Sequence, residues 1–467
     1  MQPSSGGIRS DKSADPCRLR TSVAIGYRLS PAQRHGRMQT AWNEDAEEAQ
    51  GRTARQVIMT AADKVFLASA DGHVGAPTEV YRKYLESRYF TAFDEYLAHH
   101  KWLWSPAHPE SLLEPALHDR MRTTAGFDPA RGSPIVWDAA FRLQEYDREG
   151  IVAEVLVPDD QNSNDPPFGS GLATAAVAGS GYESYSPEWQ RIGARAYNRW
   201  LADFCSADPK RLLGLTILGT LDDVDWAVNE IIRAYDAGLR TGVLLPLEYY
   251  LPLYHHPRYD PLWAVLQELD LSVVCHISKG GPQWVGSEPW VISRIWSLEA
   301  RWFAQRPLWC LIFGGVLERF PKLRLVFTEF GTHWVAPLLD QMDKYAEEDH
   351  AVFSDSPRKV KLSMTPSAYF RRQCFIAYSG LINRQDLEGD AFGAVPNLLW
   401  GADLGHGEGI WPSGLDNLRT LVGGLPERAM RGYLGEDIHR AFPVRKSEFT
   451  ALIERIAPTA DRLGLVA

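Results

Sequence analysis

The chain has 467 residues, 45% hydrophobic and 23% charged, the composition of a soluble globular protein with room for one large domain or two ordinary ones. A formal net charge of −10 and an isoelectric point near 5.8 give no footprint for nucleic acid or an anionic membrane, so a small molecule is the expected partner. Cys17, Cys205, Cys275, Cys310 and Cys374 are scattered without a C-x-x-C pair, which disfavours a disulfide framework or zinc knuckle.

No apolar run approaches the ~18 residues of a membrane span, and no apolar secretory segment follows the amino terminus. The expected location is therefore a reducing, cytoplasmic compartment. Residues 1–60 lack apolar periodicity. Their first forty carry Arg9, Lys12, Arg18, Arg20, Arg28, Arg34 and Arg37 against Asp11 and Asp15, and an acidic Glu44–Glu48 stretch follows. They are expected to be a disordered tail or a mis-assigned start, with Met59 as the natural first residue.

From residue 61 to 467, short apolar runs alternate with longer amphipathic segments, the pattern of parallel strands joined by helical crossovers. The runs are Val65–Ala70, Ile151–Val157, Leu212–Leu218, Gly242–Leu247, Leu271–Cys275, Leu323–Thr328, Cys374–Tyr378 and Leu398–Ala402. Helices are predicted at Glu188–Phe204, Val224–Ala237, Pro261–Leu269, Val291–Phe320 and His333–Glu348. Eight strands with intervening helices predict an α/β fold, a single (β/α)8 TIM-type barrel. Two long loops, His99 to Trp137 and Asp159 to Pro187, have the lengths of lids or binding loops.

In such a barrel the strands' carboxyl ends open on one face, where loops converge and chemistry is placed. The first run stops at Asp71-Gly72-His73, in which Asp71 and His73, two apart, share one face of an extended chain. The fifth is followed by His276, the sixth by Glu329, and the eighth by Asp403 with His406 just beyond. Singly, each has a plain structural reading: His276 could bond a neighbouring loop, Glu329 could pair with an arginine, and Asp403 could cap a turn. Together they are the imidazoles and carboxylates that a catalytic divalent ion needs, Zn²⁺ or Mn²⁺ for such a mixed donor set.

These stretches resemble the amidohydrolase-related family, in the branch around aminocarboxymuconate semialdehyde decarboxylase and the resorcylate-type decarboxylases. The resemblance runs from about Leu67 to about Arg440. It is carried by Ser69-Ala70-Asp71-Gly72-His73, Tyr197-Asn198-Arg199-Trp200-Leu201, Asp208-Pro209-Lys210-Arg211-Leu212, Cys275-His276, Gly315 to Pro321, Glu329-Phe330-Gly331-Thr332-His333-Trp334 and Trp400 to Gly409. It implies one divalent ion held by Asp71, His73, His276 and Asp403, with Glu329 where many relatives have a further histidine. Asp403 is also implied as a catalytic group, and His333 or His406 is the general acid or base. Ala76-Pro77 replaces the Glu-Pro of many relatives.

The activity implied is a metal-dependent carboxy-lyase acting on a small aromatic or unsaturated carboxylic acid. The same ligands would equally serve a hydrolase of an amide, ester or lactone, and a weaker alternative is a barrel that binds a metabolite without turnover. The expected partners are the small carboxylic acid, no nucleic acid and no membrane, with a homodimer left open.

Overall fold

Every apolar run becomes a strand whose residues are buried on both faces, as a parallel sheet clothed in helices requires. The computed structural model describes residues 63–100, 115–162, 164–172, 185–247, 250–277, 289–347, 360–380 and 382–467. The strands are β1 (Leu67–Val74), β2 (Ile151–Pro158), β3 (Leu212–Ile217), β4 (Gly242–Leu244), β5 (Ser272–His276), β6 (Leu325–Thr328), β7 (Cys374–Tyr378) and β8 (Leu398–Trp400). They pair in parallel in chain order from β1 to β8.

The ring closes between β1 and β8 on little backbone pairing. Gly72 bridges Leu404, the His73 N–H donates to the Leu404 carbonyl at 2.7 Å, and the Asp403 N–H donates to the Asp71 carbonyl at 2.9 Å. The expected (β/α)8 barrel is the fold. Helices Pro187–Cys205, Val224–Asp236, Asp260–Glu268, Pro289–Phe313 and Val335–Glu347 follow β2 to β6 in turn. No helix among the described residues is long and apolar enough to cross a membrane. The amino-terminal tail expectation lies outside the described residues, as do residues 101–114 of the expected His99–Trp137 loop, whose described remainder carries the short helices Pro115–Arg122 and Pro134–Trp137.

Two boundaries differ from those read in the sequence. The first strand was expected to stop at Ala70, but it continues through Asp71-Gly72-His73 to Val74, because β2 supplies pairing partners as far as Pro158. Its register shifts between Ser69 and Gly72, an irregularity of the kind that re-aims side chains beside functional sites. Only glycine fits at position 72, since an added Cβ would lie 2.3 Å from the Glu154 carboxyl carbon. The helix expected over Val291–Phe320 is broken into Pro289–Phe313 and Val316–Arg319, because Gly315 enters the left-handed region at φ +67°.

The helix Ala139–Glu149, which precedes β2, is punctuated at both ends. The Asp138 carboxylate accepts from the Phe141 N–H at 3.0 Å, and Gly150 terminates the helix at φ +72°. The helix thereby presents Arg142, Glu145, Tyr146 and Glu149 as buried residues.

Candidate metal centre

β1 contributes Asp71 and His73, the last residue of β5 is His276, and Glu329, Asp403 and His406 follow β6 and β8. Barrel closure brings all six to one place. His73 Nε2 lies 3.2 Å from Asp403 Oδ1 and 3.7 Å from Asp71 Oδ1. His276 Nε2 lies 3.8 Å from Asp71 Oδ1 and 3.5 Å from Glu329 Oε2. Asp71, His73 and Asp403 are fully buried and His276 is 2% exposed.

The other ring nitrogens fix how the histidines point. His73 Nδ1 donates to the Pro158 carbonyl at 2.9 Å, and His276 Nδ1 donates to the Ile277 carbonyl at 2.7 Å. With Nδ1 carrying the proton, each Nε2 presents a lone pair to the shared space, the orientation found when a second partner holds a metal-ligating imidazole. Ser379, just past β7, donates to Asp71 Oδ2 and leaves Oδ1 facing inward.

Burial with no protein partner is costly for a polar atom, so such atoms mark where something else binds. Asp71 Oδ1, His73 Nε2, His276 Nε2 and both Asp403 oxygens are buried without a hydrogen-bond partner. Asp71, His73 and His276 place their donor atoms within 4.8 Å of one another, and so do His73, Asp403 and His406. This donor set fits a divalent ion.

Burial and the crowding of charge shift these groups in both directions, and His73 is itself raised above the ordinary histidine value. Burial, helped by neighbouring His73, takes His276 down to about 3, so its imidazole is a neutral ligand. Burial pushes Asp71 up to about 7, with His73 opposing. Burial would also raise Asp403, but His406 and His73 hold it well below the ordinary carboxylate range. His406 is the reverse case: burial alone would lower it, yet Asp403 and Asp160 hold it well above the ordinary histidine value.

His406 stacks on His73 with ring centroids 3.4 Å apart, its Nδ1 lies 3.3 Å from Asp403 Oδ1, and both its nitrogens are buried without hydrogen-bond partners. His333 is exposed, in the turn between β6 and the helix Val335–Glu347, and belongs to none of the three groups of clustered donors. Glu329, Asp403, His406 and Glu408 form the third group. Glu329 and Asp403 have left-handed backbones, at φ +67° and +55°. Burial, together with Asp403 and Glu408, pushes Glu329 well above its ordinary value.

Sequence reasoning missed Asp159, Asp160 and Glu408. Asp159 and Asp160 follow β2 and lie 3.6 and 3.5 Å from His406 Nε2, and Glu408 lies 3.9 Å from His406 Nδ1. The signal for the aspartates was available, because they end a strand just as Asp403 does. The segment expected as a covering loop from Asp159 is packed rather than free over its described first part. Asn162 donates to Asp159 Oδ1 and the Gly405 carbonyl, and Asn164 donates to the Gly75 carbonyl.

The chain is 26% identical over 214 residues to gamma-resorcylate decarboxylase of Rhodococcus jostii, a match covering 42% of this chain. The chain spans 60% of the length of that curated relative. Among solved structures it is similar to 5-carboxyvanillate decarboxylase from Sphingomonas paucimobilis, with TM-score 0.53, 17% identity, and 82% of this chain and 100% of that chain covered. It is also similar to 5-carboxyvanillate decarboxylase from Novosphingobium aromaticivorans with bound manganese and 3-methoxy-4-hydroxy-5-nitrobenzoic acid, with TM-score 0.55, 13% identity, and 82% and 96% covered. The model of the amidohydrolase family matches residues 96–443, about three quarters of the sequence, and the chain belongs to that family.

Proposed function

We propose that this chain is a metal-dependent carboxy-lyase that removes carbon dioxide, without oxidation, from a small aromatic or unsaturated carboxylic acid. The observation that carries this reading is the convergence of Asp71 Oδ1, His73 Nε2, His276 Nε2 and the Asp403 oxygens, all buried and unpartnered, at the barrel mouth. Asp71, His73, His276 and Asp403 would hold the ion, with Glu329 beside His276. A bound divalent ion supplies Lewis-acid stabilisation of negative charge on the substrate.

The remaining work falls to the protein's own groups. As the bond to the carboxylate breaks, its electron pair stays on the substrate carbon and carbon dioxide leaves. That carbon then needs a proton, and His406 is the group placed to deliver it. It lies against His73 and Asp403, and, against the effect of burial, Asp403 and Asp160 raise its pKa above the ordinary histidine value, which favours the proton-carrying form. Asp159 and Asp160, on its other nitrogen, orient the ring and favour its charged form. His333, exposed in its turn, is the less suited of the two histidines.

The likeness to a resorcylate decarboxylase and to two carboxyvanillate decarboxylases supports carbon dioxide release over hydrolysis. The manganese in one of them makes Mn²⁺ the first ion to supply, with Zn²⁺ the second. The test is product analysis across aromatic and unsaturated acids, amides and lactones, with either ion added. Carbon dioxide from at least one acid is expected. Hydrolysis of an amide or lactone with no carbon dioxide from any acid would overturn the carboxy-lyase reading in favour of a hydrolase.

A further inference from the structure

We propose that Arg142 is a positioning residue for the metal centre, acting through the backbone of β1 and β8 rather than by contact with substrate. The inference rests on the metal-site half of the functional reading and is indifferent to whether the reaction is decarboxylation or hydrolysis. Arg142 is fully buried on the helix Ala139–Glu149, and each of its five donors has a partner. Nε donates to the Tyr146 hydroxyl at 2.7 Å, and Nη1 donates to the carbonyls of His73 at 2.8 Å and Ile135 at 2.7 Å. Nη2 donates to Glu154 Oε2 at 2.5 Å and to the Leu404 carbonyl at 3.4 Å.

Two of those acceptors stand at the seam where the barrel closes. His73 is a ligand, and Leu404 follows the ligand Asp403. Elsewhere in the ring adjacent strands share at least three paired positions, but β1 meets the segment just past β8 through the single Gly72–Leu404 bridge and two backbone hydrogen bonds. The guanidinium spans this short seam, and its planar fork can reach both carbonyls while its charge is held by Glu154. Glu154 in turn accepts from the Tyr146 hydroxyl at 2.5 Å. Arg142 therefore sets the spacing between the half of the site on β1 and the half beyond β8.

A buried arginine could instead serve stability alone, so the test separates the two roles. Arg142→Lys keeps a positive charge for Glu154 but lacks the fork, and Arg142→Met with Glu154→Met removes the ion pair as a unit, an exchange buried pairs often tolerate. Three quantities are read on the full-length protein: Mn²⁺ affinity by competition with a chelating dye, melting temperature of the metal-free form, and hydrogen exchange at the His73 and Asp403 amides.

The expected result is Mn²⁺ binding about tenfold weaker in the variants, the scale of losing support behind a ligand. Exchange at the two seam amides should be faster, and the double variant should melt within a few degrees of the parent. Parent-like affinity and exchange in a folded variant would overturn the role of Arg142 while leaving the metal site intact. If the double variant does not fold, Arg142→Lys decides alone by the same criteria. If both fail to fold, the residue is a stability element and the inference is overturned. A parent chain that takes up neither Mn²⁺ nor Zn²⁺ would overturn the metal site together with the inference.

Discussion

Two buried polar clusters lie back to back near the end of β1, and they are built on opposite rules. Around Arg142, Tyr146 and Glu154 the protein answers itself: all five arginine donors have partners, and only Glu154 Oε1 is left without one. On the other side of His73, Asp71 Oδ1, His73 Nε2, His276 Nε2, both Asp403 oxygens and both His406 nitrogens have none. Both regions are equally removed from water, so burial does not separate scaffold from site. Completeness does. A finished network holds backbone in place, whereas an unfinished one has affinity left for what comes from outside.

The sharpest way to break that contrast is Asp403→Asn, which removes the charge of the unfinished cluster with little change of volume. Turnover should fall by roughly 10³-fold or more, the upper range for a positioned acid–base group, while thermal melting shows the fold retained. Substantial activity in that variant would mean that Asp403 is a turn residue.

Next comes His406→Gln. It should lower kcat by about 10²-fold and leave bound metal, measured by elemental analysis, near the parent level. His333→Gln should change kcat by less than about threefold. A reversal of the two effects would move the proton donor to His333.

His276→Ala tests the unfinished cluster through stability. In the parent, Mn²⁺ at about a hundred times its Kd should add roughly 2.7 kcal/mol to unfolding, and His276→Ala should abolish that gain. An unchanged metal-dependent melting shift would remove His276 from the ligand set.

The smallest effect is expected from starting the chain at Met59. That truncation removes no residue of either cluster, so melting temperature and turnover should match the full-length chain within error. A clear drop in either would give residues 1–58 a structural role.

The barrel was legible because each strand is an apolar run long enough to stand out, and the clustered donor residues were legible because polar residues interrupt those runs where strands end. Asp71, His73, His276, Glu329, Asp403 and His406 all lie at the mouth. The same rule applied to Ile151–Pro158 would have found Asp159 and Asp160, but the loop that follows was read for its length and its prolines. Arg142 and Glu154 were harder to place. Glu154 is a lone charge inside the run Ile-Val-Ala-Glu-Val-Leu-Val, which signals a buried pair. Its partner sits one helix earlier at no diagnostic spacing, and only the fold brings them together. The end of β1 was misjudged for a related reason: Asp-Gly-His looks like a turn until a neighbouring strand is there to hold it extended.

The left-handed backbones of Glu329 and Asp403 set durability against chemistry. A side chain in that region carries about 1 kcal/mol of local strain that glycine would not. A search for thermal robustness alone would therefore favour Glu329→Gly, exchanging a carboxylate beside His276 for a relaxed hinge, and would erode the site while improving the fold. Any engineering of this barrel for heat resistance has to exempt those two positions, because there the less comfortable residue is the useful one.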